Sequence, residues 1–450
     1  MMRLGARVGL LVALSLASSS KVCSAWSSAQ SRSRLSSRLF SSGNNVVLRP
    51  STDPERFDSC KIGTARVHRY IRDSFSSPDE ADAEYVMWYT ARAEGFDSEQ
   101  KLAPLSTGRI GRATSRNGLV WKKVVEGSLS EDKPDVSLGL NKESWWGFDT
   151  AHVGLGQVLL PMTTPAVMTE GGVYLMYYMG GSYDEESAQN YMETPTDATV
   201  QGMKLKIGVA ISQDGVSWGR VEGDDHTGAC MIPYDETDPN FEPIRDDNDK
   251  IMVVEEELYC GWPEVVINQV SEGEEGKSGF IMFYSTMTKE DKVKALAYAV
   301  SEDGFRFEKR GVCLRPDASG PDSGGCARCN VIRKASYNED TGVWSDANGW
   351  MMFYEGVSNE DGKHRIMSAE SDDDGVSWKK TGVAIQVGEE GAWDCNGAGS
   401  PHVLRLDDGA MRMYYTGQAA DGSTAIGVAR SVPDVNGGAW AREQAEFTFA

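Results

Sequence analysis

A five-fold internal repeat limits what this chain can fold into. In each copy an acidic residue precedes a Val by nine positions: Asp58 to Val67, Asp149 to Val158, Glu256 to Val265, Asp322 to Val331 and Asp394 to Val403. In the third copy Glu257 and Val266 satisfy the same spacing. An aromatic-rich segment follows each: MWYTA (87–91), MYYMG (176–180), MFYST (282–286), MFYEG (352–356) and MYYTG (413–417). An alternating segment and a tight turn come next: SRNGLVW (115–121), SQDGVSW (212–218), SEDGFRF (301–307), SDDDGVSW (371–378) and a degraded copy at SVPDVNGGAW (431–440).

Asn-Gly and Asp-Gly between alternating apolar runs signal β-hairpins, because Asn, Asp and Gly tolerate the positive φ that such turns need. Each copy therefore reads as four short antiparallel strands. A lone four-strand sheet cannot bury both faces, so the copies must stack on one another. The expected fold is all-β: a five-bladed β-propeller with four antiparallel strands per blade. The Trp or Phe three residues after each turn Gly would pack between blades.

Residues 1–50 are a different material, with seven Lys or Arg and no acid. The apolar run VGLLVALSLA (8–17) is too short to span a bilayer and fits the core of a signal peptide covering 1–25. Residues 26–50 are Ser- and Arg-rich, like a transit peptide, and Trp26 would follow the first cleavage. Together these segments point to a plastid reached through extra membranes; plain secretion is the alternative. The propeller domain is expected over 51–450. Without the first 50 residues, 38 Lys and Arg face 67 Asp and Glu, a net charge of −29. That surface disfavours nucleic acid and anionic lipid, and no segment after the presequence is apolar enough to cross a membrane. An odd seven Cys beyond Cys23 argues against a full disulfide framework. Cys326 and Cys329 form a lone CxxC, which reads as buried packing or as a weak metal or redox signal.

In a propeller the first strand of each blade lines the axis, so the repeat brings residues 58 to 403 around one funnel. The residue before each repeat Val is polar: Arg66, Gln157, Glu264, Asn330 and His402. These read as the lining of a polar channel. Two positions earlier stand Thr64, Leu155, Trp262, Arg328 and Ser400, which strict alternation places on the same face. The leading carboxylates would rim the opening; capping of backbone amides is their alternative role. Trp145, Trp146, Trp262 and Trp393 lie near acids, as a sugar site requires. No cofactor or metal is called for; a Ca²⁺ at the acidic loops is the one ion that the composition leaves open.

The segment GSPHVLRLDDGAMRMYYTG (399–417), the MYYTG and MFYEG strands and the SxDGxxW turns make residues 55–447 similar to the five-bladed superfamily of arabinanases, levansucrases and invertases, glycoside hydrolase families 32, 43, 62 and 68. The resemblance implies glycosidase or transglycosidase chemistry on a neutral oligosaccharide. It also implies three acids, carried here by Asp58 as base or nucleophile, Asp149 as the orienting acid and Glu264 as general acid. Trp146, His152, Trp262, Arg66, Arg328, Asp394 and His402 would contact substrate. In Trp-Pro-Glu (262–264) the acid follows the Pro, whereas those families often place it before one. Two alternatives follow: a propeller that binds carbohydrate without cutting it, and a phosphorylase of the related mannoside type, with one acid and basic residues around phosphate.

Overall fold

The computed structural model describes residues 45–71, 83–93, 102, 108–125, 135–160, 166–167, 173–191, 195–236, 255–268, 279–338, 343–406, 408–431 and 440–443. The proposed signal segment 1–25 and residues 26–44 of the proposed transit segment 26–50 therefore lie outside the described residues, as does the acidic stretch 237–254. The described residues form β-strands and one short 3-10 turn at Ala188–Tyr191.

Each repeat is an antiparallel four-strand meander. Unit 1 comprises Lys61–Ile71, Ala83–Arg92, Arg109–Ser115 and Lys122–Lys123. Unit 2 comprises His152–Leu159, Tyr174–Gly181, Lys206–Ser212 and Gly219–Val221. Unit 3 comprises Glu257–Ile267, Phe280–Thr288, Lys294–Ser301 and Glu308–Leu314. Unit 4 comprises Gly325–Asn338, Val343–Val357, His364–Ser371 and Lys379–Ile385. Unit 5 comprises Gly397–Arg405, Met411–Gln418, Thr424–Ser431 and Trp440–Arg442. Val46–Leu48 pairs with Thr424–Ser431 of unit 5, beside Trp440–Arg442 on the same strand. Asn45 donates to the Tyr415 hydroxyl and accepts from the Trp393 indole. Residues 45–48 thus help to complete the last unit.

The apolar core is divided into layers between units. One cluster joins Met87 and Val67 of unit 1 to Tyr414 and Ile426 of unit 5. Others join units 1 and 2, 2 and 3, 3 and 4, and 4 and 5. Burying one such large side chain contributes roughly 1.5–3 kcal/mol, so neighbouring units stabilise one another.

The turn aromatics set that contact. Trp121, Trp218, Phe307, Trp378 and Trp440 each meet an aromatic of the preceding unit edge to face: Tyr414, Trp88, Tyr177, Phe283 and Phe353, at centroid distances of 5.4 to 6.2 Å. The turn glycines share in the clasp. The Gly118, Gly215 and Gly304 carbonyls accept bonds from Tyr414, Trp88 and Tyr177. Gly375, at φ 86°, lies so close to Phe283 that an added Cβ would stand 2.6 Å from its ring.

Candidate functional site

Five leading carboxylates are consumed by the scaffold. The hydroxyls of Tyr89, Tyr178, Tyr284, Tyr354 and Tyr415 donate to Asp58, Asp149, Glu257, Asp322 and Asp394 over 2.8 to 3.0 Å. A cation from the same unit's fourth strand completes each lock. Lys123, Arg220, Lys380 and Arg442 approach Asp58, Asp149, Asp322 and Asp394 to 2.5 to 2.9 Å, and Lys309 pairs with Glu257. The third repeat acid is therefore Glu257; Glu256 bonds Lys289. Each lock ties the loop leading to a unit's first strand, or in unit 3 that strand's first residue, to its second and fourth strands. Asp58, Asp149 and Asp394, expected at a substrate, are buried in these locks instead.

The first strands of the five units adjoin in a cycle. Every one carries a bulge: the register shifts between Gly63 and Arg66, Leu155 and Gln157, Gly261 and Glu264, Ala327 and Asn330, and Gly399 and His402. At four bulges a non-glycine residue is left-handed: Thr64, Trp262, Arg328 and Ser400, with φ of 46 to 48°. A bulge removes an amide from the ladder. Here the preceding unit's second strand recovers it. Leu155 N donates to Thr90, Trp262 N to the Met179 sulfur, Arg328 N to Ser285, Ser400 N to Glu355 and Thr64 N to Thr416. Such left-handed backbone costs of order 1–3 kcal/mol per residue and is held only where its surroundings over-determine it.

The bulge also breaks the alternation assumed from sequence, so two layers with different partners result. One layer holds the polar ring, whose side chains pack against one another as a plug. Glu264 Oε1 accepts from Gln157 Nε2 (3.0 Å), Asn330 Nδ2 (2.7 Å) and the Val331 amide (3.1 Å). Its Oε2 lies 3.2 Å from Arg66 Nη2 without a hydrogen bond. Arg66 also donates to the Pro401 and Cys329 carbonyls, Asn330 accepts from Val403 N, and His402 donates to the Val67 carbonyl. His68 donates to the Val158 carbonyl. These side chains stitch the units to one another, and all are buried. The expected polar channel is corrected to a polar seal: buried hydrogen-bonded side chains and channel-lining ones look alike in sequence. Burial pushes His402 down to about 3 and His68 down to about 4, so both are neutral near pH 7. His152 is likewise buried against the Gly202 carbonyl and lowered to about 4. Arg66, His152 and His402, expected at a substrate, are buried here and hydrogen-bonded to backbone carbonyls. Burial pushes the Glu264 carboxyl up to about 7, against the pull of Arg66 and its three N–H donors.

The bulge layer holds the remaining chemistry. Arg328 is 26% exposed, lies 4.5 Å over the Trp262 ring and bonds Glu355 Oε1 at 2.8 Å. His364 Nδ1 is 2.6 Å from the same oxygen, while Oε2 takes the Ser400 amide. Burial pushes the Glu355 carboxyl upward, but Arg328 and His364 outweigh it and hold it well below the usual range. Lys294, part-buried, is lowered to about 8, first by desolvation and then by Arg328. Thr64 Oγ1 and Ser400 Oγ lie 3.4 Å apart. Trp145 and Trp146 pack edge to face on the loop leading to Asp149, 87% and 50% exposed.

Sequence reasoning therefore placed Trp262 and Arg328 together and missed Glu355, His364 and Lys294. A signal for Glu355 existed: the residue after the lock Tyr is Thr90, Met179, Ser285, Glu355 and Thr416, one acid among neutral residues. All seven described Cys are free; Cys326 and Cys329 sit in the apolar layer between units 3 and 4. Among the described residues no three His, Cys, Asp or Glu side chains cluster as metal ligands, and no helix is long and apolar enough to cross a membrane.

No protein-family profile matches the chain. No curated protein matches it either. Solved structures do. A protein solved as a glycoside hydrolase is 16% identical with a TM-score of 0.53, covering 87% of this chain and 92% of that one. A member of the GH130 family of mannoside phosphorylases, described as containing glycoside hydrolases that target β-1,2 mannosidic linkages in Candida mannan, is 14% identical with a TM-score of 0.51, covering 90% and 96%. A thermostable family-43 glycoside hydrolase is 12% identical with a TM-score of 0.50, covering 86% and 94%. The chain shares the all-β, β-propeller-like fold of this group of glycoside hydrolases.

Proposed function

We propose that the five units are the blades of a five-bladed propeller, four antiparallel strands each, and that it acts on the glycosidic bond of a carbohydrate through Glu264 of the polar ring and Glu355 of the bulge layer. One observation carries this reading. Two carboxylates outside the locks, Glu264 and Glu355, have ionisation pushed in opposite directions. Such a split gives two carboxylates distinct acid and base roles when both face one substrate. Glu264 holds a proton near neutrality, and Oε2 is the oxygen its hydrogen bonds leave for it. Glu355, ionised, would accept a proton from water or attack the anomeric carbon. Trp146, half-exposed, supplies an aromatic face for a sugar ring, while Trp262 is buried under the Arg328 guanidinium. Asp58 and Asp149 have no role in this reading, because the locks hold them.

A second reading is binding without cleavage. The complete burial of Glu264 favours it, since an acid must reach the glycosidic oxygen. Assays on a panel of aryl-glycosides, sucrose, fructans, arabinans and β-mannosides, with and without phosphate, separate the readings. Hydrolysis lost about 10²-fold or more in Glu355→Gln and in Glu264→Gln is the expected result. Binding without turnover would replace it with the second reading, and a phosphate requirement would indicate phosphorolysis. Plastid import of the chain, with residues 1–50 as presequence or as a secretion signal, is a separate proposal that imaging of a fluorescent fusion tests.

A further inference from the structure

Glu355 and His364 stand on the second and third strands of unit 4, where Glu355 faces Ile366 across the ladder and His364 lies two residues before it. The two side chains are therefore diagonal neighbours on one face of the sheet. Glu355 Oε1 accepts from Arg328 Nη1 at 2.8 Å, and Oε2 accepts from the Ser400 amide at 3.0 Å. A Cβ added at Gly399 would stand 2.0 Å from Oε2, so the carboxylate rests directly on the backbone of unit 5. Both oxygens already accept hydrogens. The third contact, from His364 Nδ1 to Oε1 at 2.6 Å, therefore takes its hydrogen from the imidazole. With Nδ1 as the donor, Nε2 is the nitrogen left to accept. Among the described residues Nε2 has no hydrogen-bond partner, and it is open to solvent. The His364 side chain is 25% exposed and that of Glu355 4%. The imidazole is thus the part of this pair that solvent reaches, with the carboxylate behind it.

We infer that His364 is the base of the hydrolysis: its Nε2 takes a proton from the attacking water, while Glu355 fixes the tautomer and balances the imidazolium that forms. The inference rests on the glycosidic reading above and narrows the part of Glu355 in it. A carboxylate behind an imidazole orients the ring and stabilises its charged form, without taking the proton itself. Direct attack by Glu355 on an anomeric carbon is set aside, because an oxygen could leave its place only by breaking bonds to the Arg328 guanidinium, the imidazole or the Ser400 amide. In the step, a water O–H bond breaks as its proton passes to Nε2. The water oxygen bonds the anomeric carbon, the glycosidic C–O bond breaks, and the departing oxygen takes the proton of Glu264. His364 then returns its proton to solvent, from which Glu264 regains one. A single displacement by water inverts the anomeric configuration.

The same panel of aryl-glycosides, sucrose, fructans, arabinans and β-mannosides is the probe. It is read with the wild-type full chain, His364→Gln and His364→Gly, each checked for a native melting transition. On a glycoside that the wild type hydrolyses, kcat should fall about 10²-fold or more in both variants while KM changes little. Added imidazole should raise the rate of His364→Gly about tenfold or more and leave His364→Gln unchanged, a response that loss of packing does not give. Proton NMR of the first product should show the inverted anomer. Nitrogen NMR of the wild-type imidazoles should place a hydrogen on Nδ1 of His364, a readout that needs neither turnover nor a folded variant. Turnover kept in both variants, no response to imidazole, a retained anomer or a bare Nδ1 overturns the base and leaves the glycosidic reading intact. Hydrolysis of no member of the panel overturns both.

Discussion

Glu264→Gln should make the protein's stability less dependent on pH, and the size of the change follows from the plug. In the native state the Glu264 carboxyl is raised to about 7 by burial, against an ordinary value of 4.5. A raised carboxyl means that the native state binds more protons than the unfolded chain between those values. Stability from this group is therefore full below pH 4.5 and is lost as pH rises to 7. Linkage over a 2.5-unit gap gives about 3 kcal/mol in total, of which about 2–3 kcal/mol falls between pH 5 and pH 8. Gln keeps an oxygen to accept from Gln157, Asn330 and Val331 and has no proton to lose. Urea titrations of both proteins at pH 5, 6, 7 and 8 measure the effect. The variant should gain about 2–3 kcal/mol on the wild type between the extremes, whatever its offset at pH 5. Parallel stability curves would refute the reasoning, because they would mean that Glu264 ionises in the fold as it does in water. Other groups titrate equally in both proteins and cancel in the difference.

Glu257→Ala strands the buried Lys309 ammonium and should cost about 3–5 kcal/mol in chemical denaturation, against under ~1 kcal/mol for Glu256→Ala on the half-exposed neighbour. Tyr178→Phe deletes one lock bond and should cost about 1–2 kcal/mol with the fold intact. Gly375→Ala meets both a positive φ and the Phe283 ring, whereas Gly362→Ala meets only a positive φ, so thermal melts should rank the former as clearly worse. Removing residues 1–50 should destabilise by about 2 kcal/mol or more relative to removing 1–44, because the longer deletion takes Val46–Leu48 and the Asn45 bonds to Tyr415 and Trp393.

The repeat made the strands, the turns and the packing of the turn aromatics legible, because periodic apolar residues and Gly turns have few structural meanings. The locks were visible only in part. Tyr89, Tyr178, Tyr284, Tyr354 and Tyr415 stood in the quoted strands, and a cation follows every turn aromatic by two positions: Lys123, Arg220, Lys309, Lys380 and Arg442. Pairing them with acids a whole unit's length away needs three dimensions. The plug was misread for a physical reason: polarity in sequence does not tell whether water or another side chain satisfies a group. Alternation also failed at the bulges, where one extra residue separates Arg328 and its neighbours from the ring two positions on. Glu355 was hidden because it sits on a second strand, away from the first strands where the acids were sought.

A crystal structure of the protein with the most tightly bound glycan of the assay panel tests the central claim most directly. The account predicts a sugar ring within hydrogen-bond reach of Glu355 and Arg328 and beside Trp262. A glycan bound elsewhere, such as on Trp145 and Trp146 alone with the bulge layer untouched, would contradict it.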